Sequence, residues 1–108
     1  MDRGYSQYTL ISEWANIPVP SVIEEGHSLV YATATEIVLP FPIAKTLPYI
    51  IHEMSHVINY NSPDADHHGI NYATTELEVV QAFMGQDMYV ALRDSFDKYK
   101  VHYLTENL

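Results

Sequence analysis

Apolar positions in the first forty residues predict one helix followed by short strands. Residues 3–15 form a pattern typical of a short helix with an aromatic stripe in the core, because large apolar side chains recur three positions apart: Tyr5, Tyr8, Ile11 and Trp14. Residues 17–27 are rich in proline and are interpreted as a connector. Residues 28–33 and 35–39 are rich in Val, Ile, Tyr and Thr and predict two antiparallel strands.

From Thr46 the apolar period becomes helical. The stripe of the predicted helix recurs at intervals of three and four: Leu47, Ile50, Ile51, Met54 and Ile58. Thr46 is a suitable N-cap, and Pro48 falls in the first turn, where a missing N–H costs nothing. The loop NSPDAD ends this helix of about four turns.

Two further helices are predicted in the last forty residues. The first begins near His68 or Gly69, ends at Gly85, and has an apolar face formed by Ala73, Leu77, Val80 and Met84. The second has a stripe formed by Met88, Leu92, Phe96 and Tyr99. The expected fold class is therefore α+β in one domain, residues 1–108: an N-terminal helix, a small antiparallel sheet, a central helix packed on the sheet, and two closing helices.

Composition and charge exclude several classes of function. The chain has 108 residues, a net charge of −9 and only five Lys and Arg, so no basic surface is expected to bind nucleic acid directly or to attach to an anionic membrane. The N-terminal residues lack the features of a secretory signal, and the longest apolar run, residues 37–44, is too short to span a bilayer. A cytoplasmic protein is therefore expected. Because there is no cysteine, any zinc site must use His and carboxylate ligands.

His52, Glu53 and His56 form an H-E-x-x-H motif on the helix that begins after Thr46. At about 100° per residue the two histidines lie about 40° apart, so both rings can reach one ion. They fall on the side of the helix opposite the apolar stripe, which argues against two core histidines. Glu53 projects roughly 60° to 100° from the pair, where its carboxylate can approach a water on the metal without becoming a ligand.

A catalytic zinc needs three protein ligands and one open position. His68 is one candidate for the third ligand, because the loop before the next helix can fold back and Gly69 permits a close backbone approach. Glu76 is the other, since a carboxylate on the apolar flank of that helix needs a partner. Glu76 has two further interpretations, as an acceptor for the ring N–H of a ligand histidine or as a flank residue that reaches solvent.

The stretch IIHEMSH, followed by a short loop and HHGINY, resembles the SprT-like zincins, including the Spartan proteases, in which H-E-x-x-H precedes a later His-Gly-x-x-aromatic. The longer run from LPYIIHEMSH through HHGINYATTELEVVQAFMG to ALRDSF is more similar still to small H-E-x-x-H metallohydrolases of actinobacteria and their phages. The resemblance covers roughly the C-terminal half of the chain and implies that His52, His56 and His68 bind zinc and that Glu53 is the catalytic acid/base. Gly69 and Tyr72 match the structural end of the motif.

The chain also departs from these relatives. It lacks a cysteine zinc ribbon and a basic DNA-binding segment, so repair of DNA–protein crosslinks is not expected of it. A second similarity, between NYATTEL and the Tyr-Ala-x-x-Glu-Leu segment of ArdC-like antirestriction zincins, would make Glu76 the third ligand instead. His68 is preferred, because the His-Gly-x-x-Tyr match and the following helix agree.

The expected function is that of a zinc metallopeptidase acting on a peptide or protein, with Glu53 activating a zinc-bound water. In zincins generally the strand before the motif helix borders the cleft, so a substrate is expected to pair with the edge of residues 35–39. Candidates for stabilising the oxyanion are Tyr49, Tyr60, Tyr72 and His102. Two alternatives stay open: a zinc-stabilised interaction module without catalysis, directed at a phage or host factor, and a zinc hydrolase of a non-peptide amide.

Overall fold

Four helices and three short strands make up the computed structural model, which describes residues 3–25, 31–40, 46–63, 65–66 and 68–104. In chain order the elements are α1 (Arg3–Ala15), β1 (Ser21–Glu25), β2 (Tyr31–Ala32), β3 (Glu36–Pro40), α2 (Leu47–Tyr60), α3 (Ile70–Met84) and α4 (Gln86–Lys98). This arrangement confirms the α+β class, with one helix before the sheet and three after it. Residues 28–30 of the first predicted strand lie outside the described residues.

The sheet has the order β1-β3-β2 and is mixed rather than purely antiparallel. The antiparallel pairing of β2 with β3 is as predicted, with Ala32 opposite Ile37. The interpretation of residues 17–27 as a connector is wrong at β1, which pairs in parallel with β3 and places Val22 opposite Ile37. Because β3 is the central strand, the expectation that a substrate could pair with its edge is also wrong.

Helix α2 is the centre of the fold and contacts α1, α3, β2 and β3. It begins after Thr46 and has Pro48 in its first turn, as predicted. Its apolar side joins a core in which these residues are buried together: Ile11, Ile37, Leu39, Ile50, Ile51, Met54, Val57 and Val79. Its polar side is also enclosed in part, and the buried polar residues there include Glu53 and His56. The apolar stripe alone therefore underestimates how much of this helix is enclosed.

Helix α3 follows its predicted pattern, with Ala73, Leu77 and Val80 buried. It ends at Gly85, whose φ of 94° lies in the left-handed region that favours glycine. Helix α4 starts directly after this turn, but its predicted stripe is only partly covered, and Tyr99 at its end is 68% exposed. No helix in the described part of the chain is long and apolar enough to cross a bilayer.

Helix α1 buries Tyr8 and Ile11 against the core, as predicted. Trp14 does not belong to the core, because it is 47% exposed and meets Phe83 of α3 edge to face at a centroid distance of 5.8 Å. The side chain of Tyr5 lies outside the described part of the structure.

Candidate metal centre

Three histidines converge where α2 faces the loop before α3. His52 and His56 lie one turn apart on α2, and His68 comes from the loop, so that one ring nitrogen from each lies within 4.8 Å of the other two. The ring centroids are separated by 5.0 Å between His52 and His56 and by 4.6 Å between His56 and His68. Three imidazole nitrogens at these separations could hold one metal ion.

The Nδ1 atom of His52 lies close to two side chains of α3, Tyr72 and Glu76. The hydroxyl of Tyr72 lies 2.9 Å from His52 Nδ1 and donates to the His52 carbonyl oxygen at 3.2 Å. Glu76, one turn further along α3, has Oε2 at 3.8 Å from the same Nδ1, an ion-pair distance rather than that of a hydrogen bond. Glu76 therefore stands behind His52, which favours its interpretation as a partner of the ring N–H over its interpretation as a metal ligand.

The carboxylates around His52 shift the balance of its protonation. Contact with Glu76 raises the pKa of His52, burial lowers it, and the charge of Glu53 raises it again, with a net upward shift. Metal binding at His52 must therefore displace a proton more often than at an ordinary histidine near neutral pH.

His56 is only 7% exposed, and two tyrosine rings lie against its imidazole. Tyr72 stacks on it at a centroid distance of 4.3 Å, and Tyr60 lies on it at 5.9 Å with the rings 15° apart. Burial, followed by the nearby charges of Glu76 and Glu53, raises the pKa of Tyr72, so its phenol stays neutral. The position opposite the apolar stripe is thus buried by aromatic rings instead of aliphatic side chains.

Asp66 organises the loop that carries His68. Its carboxylate accepts hydrogen bonds from the backbone N–H of Asn71 at 2.9 Å and of Tyr72 at 3.0 Å, which are in the first turn of α3. The side-chain amide of Asn59, on α2, donates to the main-chain carbonyl of Asp66 and, at 3.4 Å, to its carboxylate. The loop is therefore anchored to both helices two residues before His68.

These donors also set the ionisation of Asp66. Burial alone would raise the pKa of Asp66, but hydrogen bonds from Asn71, Tyr72, Asn59 and the Gly69 backbone outweigh it, and the pKa is lowered. A Cβ at Gly69 would lie only 2.8 Å from Asp66 Oδ2, so a larger residue there would displace the Asp66 carboxylate.

A cleft of about 220 Å³ joins the three histidines to the edge of the sheet. Its walls are formed by Tyr31, Ala32, His52, Glu53, His56, Tyr60 and His68. Glu53 is 4% exposed; burial raises its pKa, and the charge of His52 partly offsets the rise. A buried carboxylate with a raised pKa, beside a histidine cluster that could hold a metal ion, has the properties of a general base. The strand that borders the cleft is β2 rather than β3.

The four residues predicted as candidates for stabilising the oxyanion do not lie together in the structure. Of the four oxyanion candidates only Tyr60 lines the cleft; Tyr72 faces His52 Nδ1, and Tyr49 packs against the core. His102 lines a separate depression with Asp97 and Tyr103.

Sequence reasoning missed Asp66 and Asn59, and also Tyr31 in the cleft wall. An aspartate shortly before a glycine at a helix start was the available signal for Asp66. His67, the neighbour of His68, lies outside the described residues.

In comparisons with known proteins, no family model, no curated protein and no solved structure matches the chain. The resemblance to SprT-like zincins therefore rests on the motif residues alone.

Proposed function

We propose that the protein is a zinc-dependent metallohydrolase, and specifically a metallopeptidase. The observation that carries this proposal is that three histidines able to hold one ion share a cleft with the buried carboxylate of Glu53. Hydrolysis by a zinc-bound water requires both features in one place.

The donor set suits a catalytic zinc. Three imidazoles with no thiolate are a known ligand set for catalytic zinc, whereas structural sites are closed by four ligands. Within the described residues the cluster contains His52, His56 and His68 and no fourth His, Cys, Asp or Glu. A position for water or substrate would therefore remain open.

The mechanism assigns the proton transfers to Glu53. Zinc bound at the cluster would supply Lewis acidity and lower the pKa of water to about 7. Glu53 accepts the proton of the attacking water as its oxygen bonds to the scissile carbonyl carbon, and it then delivers that proton to the leaving amine as the C–N bond breaks. The hydroxyl of Tyr60, which lines the same cleft, is a candidate to donate to the oxyanion, whereas the hydroxyl of Tyr31 donates to Glu36 Oε1 at 3.3 Å.

The sheet supports a peptide as substrate. β2 has β3 on one side and, within the described residues, no strand on the other, and its two residues form one wall of the cleft. An extended peptide that paired with β2 would pass the three histidines, with main-chain hydrogen bonds supplying affinity.

The test compares wild-type protein with Glu53→Gln, both loaded with zinc and with metal content measured. On a mixed peptide library the variant should cleave at least about 100-fold more slowly while retaining its zinc, since general-base catalysis contributes roughly 10²–10⁴-fold. Glu13→Gln, an exposed change on α1, is the matched control and should cleave like wild type. Cleavage by Glu53→Gln at the wild-type rate would contradict the assignment.

A second candidate function, a zinc-stabilised interaction module, draws support from the size of the cleft. About 220 Å³ is below the roughly 300–1,000 Å³ of usual ligand pockets. This second function is the correct one if zinc-loaded wild type cleaves neither peptides nor simple acyl amides and if Glu53→Gln has the same effect in the cell as wild type. Cleavage of acyl amides without peptides would instead assign a non-peptide substrate.

A further inference from the structure

We infer that Tyr72 is a positioning residue that fixes which nitrogen of His52 is offered to the metal, with Glu76 reinforcing the same choice. This inference rests on the proposed metal site and concerns its outer partners. The assignment is Nε2 for the metal and Nδ1–H for Tyr72 and Glu76.

The first step is a count of protons. Tyr72 has one hydroxyl proton and two acceptors within reach, the His52 carbonyl oxygen at 3.2 Å and His52 Nδ1 at 2.9 Å. A backbone carbonyl can only accept. If the hydroxyl donates to the carbonyl, the 2.9 Å contact must be a hydrogen bond from Nδ1–H to the phenol oxygen, which leaves the Nε2 lone pair available.

The second step uses Glu76 to decide between the two tautomers. In the other tautomer the phenol donates to a bare Nδ1, and a carboxylate 3.8 Å away would face the lone pair of that nitrogen without any proton between them. In the assigned tautomer the same carboxylate faces an N–H, which it stabilises. The two side chains, one turn apart on α3, therefore favour the same proton position.

Tyr72 is itself held in place by contacts with the loop and with α2. Its backbone N–H is held by Asp66 at 3.0 Å, and its ring stacks on His56 at 4.3 Å. Tyr72 thus contacts all three histidines: His52 through its hydroxyl, His56 through its ring face, and His68 edge to face at a centroid distance of 5.2 Å. Loss of the hydroxyl alone removes the hydrogen bonds to His52 and keeps the ring contacts.

The test uses Tyr72→Phe and zinc alone as the probe. Zinc affinity, measured by competition with a chelating dye, should fall about 10- to 100-fold, the usual effect of removing an outer partner of a ligand histidine. Tyr89→Phe, a half-buried tyrosine on α4, is the matched control and should bind zinc like wild type. Glu76→Gln, which keeps the size of the side chain and removes its charge, should weaken zinc binding by a smaller factor.

A second measurement does not depend on the variants folding or on hydrolysis. Ring ¹⁵N shifts of His52 in the metal-free wild type at pH 8 should show a protonated Nδ1, and in the zinc-loaded protein they should show coordination through Nε2. A protonated Nε2, or coordination through Nδ1, would overturn the inference, as would unchanged zinc affinity in a folded Tyr72→Phe. Absence of peptide cleavage would contradict the proposed function and leave these readouts intact.

Discussion

The loop carrying His68 depends on one carboxylate, so Asp66→Ala should weaken both the fold and the metal site. The substitution removes the acceptor for two backbone N–H groups of α3, from Asn71 and Tyr72, while the amide of Asn59 keeps its bond to the main-chain carbonyl at residue 66. Losing a helix cap costs about 0.5–2 kcal/mol. Hydrogen bonds to charged groups contribute about 1.5–3 kcal/mol.

These contributions overlap, and Asp66 is only half-buried, so solvent screening reduces them. A loss of about 2 kcal/mol is therefore expected, which corresponds to a fall in Tm of roughly 10 °C for a domain of this size. Urea unfolding of metal-free protein followed by circular dichroism measures it. Asp94→Ala is the control, because that carboxylate is 67% exposed and lies 3.9 Å from Arg93; it should change stability by less than about 0.5 kcal/mol.

The pH dependence of Asp66→Ala provides an independent check. Because the pKa of Asp66 is lowered in the fold, its stabilisation is present above the unfolded value of about 3.9 and is lost as pH falls through the lower folded value. The difference between wild type and variant should therefore shrink in acid. A variant as stable as Asp94→Ala at pH 7, or a difference that grows on acidification, would refute the reasoning.

Three further outcomes are expected. Gly69→Ala should lower the free energy of unfolding by about 1 kcal/mol in wild type, because the new Cβ would lie 2.8 Å from the Asp66 carboxylate. In the Asp66→Ala background the same change should cost nearly nothing, and a double-mutant cycle of unfolding free energies measures the difference. Glu53→Gln should raise the Tm of metal-free protein at pH 7 to 8 but not at pH 4. Because the pKa of Glu53 is raised in the fold, its ionised form lowers folding stability only above the unfolded pKa of about 4.3. An equal rise in Tm at both pH values would contradict this. Zinc at about 100 times its Kd should stabilise wild type by about 2.7 kcal/mol, as Tm measurements with and without a chelator would show. This stabilisation should vanish in His68→Ala and persist in His102→Ala. It should decline below about pH 6, where histidine ligands become protonated.

Local patterns in the sequence predicted the helices and missed one strand. The period of α2, the proline in its first turn and the glycine that ends α3 are all signals that a few neighbouring residues carry. β1 has no such local signal. Pro18 and Pro20 precede it and made the segment look like a connector, and its partner strand is distant in the sequence, at residues 36–40. Pairing at that distance is decided by the packing of the whole chain, which also moved β3 from the expected edge to the centre of the sheet.

The candidate site divides in the same way. The motif spacing identified His52, Glu53 and His56, and the motif resemblance favoured His68; the structure places all three histidines together. Glu76 was one of the candidates in the sequence, as a metal ligand or as an acceptor for a ring N–H, but the sequence could not decide between these roles or predict the contact of Tyr72, because both side chains reach His52 only once α3 has packed on α2. The carboxylate of Asp66 likewise acts through backbone groups of residues 71 and 72, whose side chains give no hint of it.

Helix α4 is less enclosed than the other three helices, which has a consequence for local stability. All of its residues are described, none is fully buried, and the turn at Gly85 separates it from α3. A unit with so few enclosed side chains should open locally at a lower free energy than the core, exchanging its amide protons and admitting proteases first. The three histidines come from α2 and the loop before α3, so local opening of α4 is expected to leave the histidine cluster in place. Loss of the last helix would then be a graded event at the periphery rather than the unfolding of the whole protein.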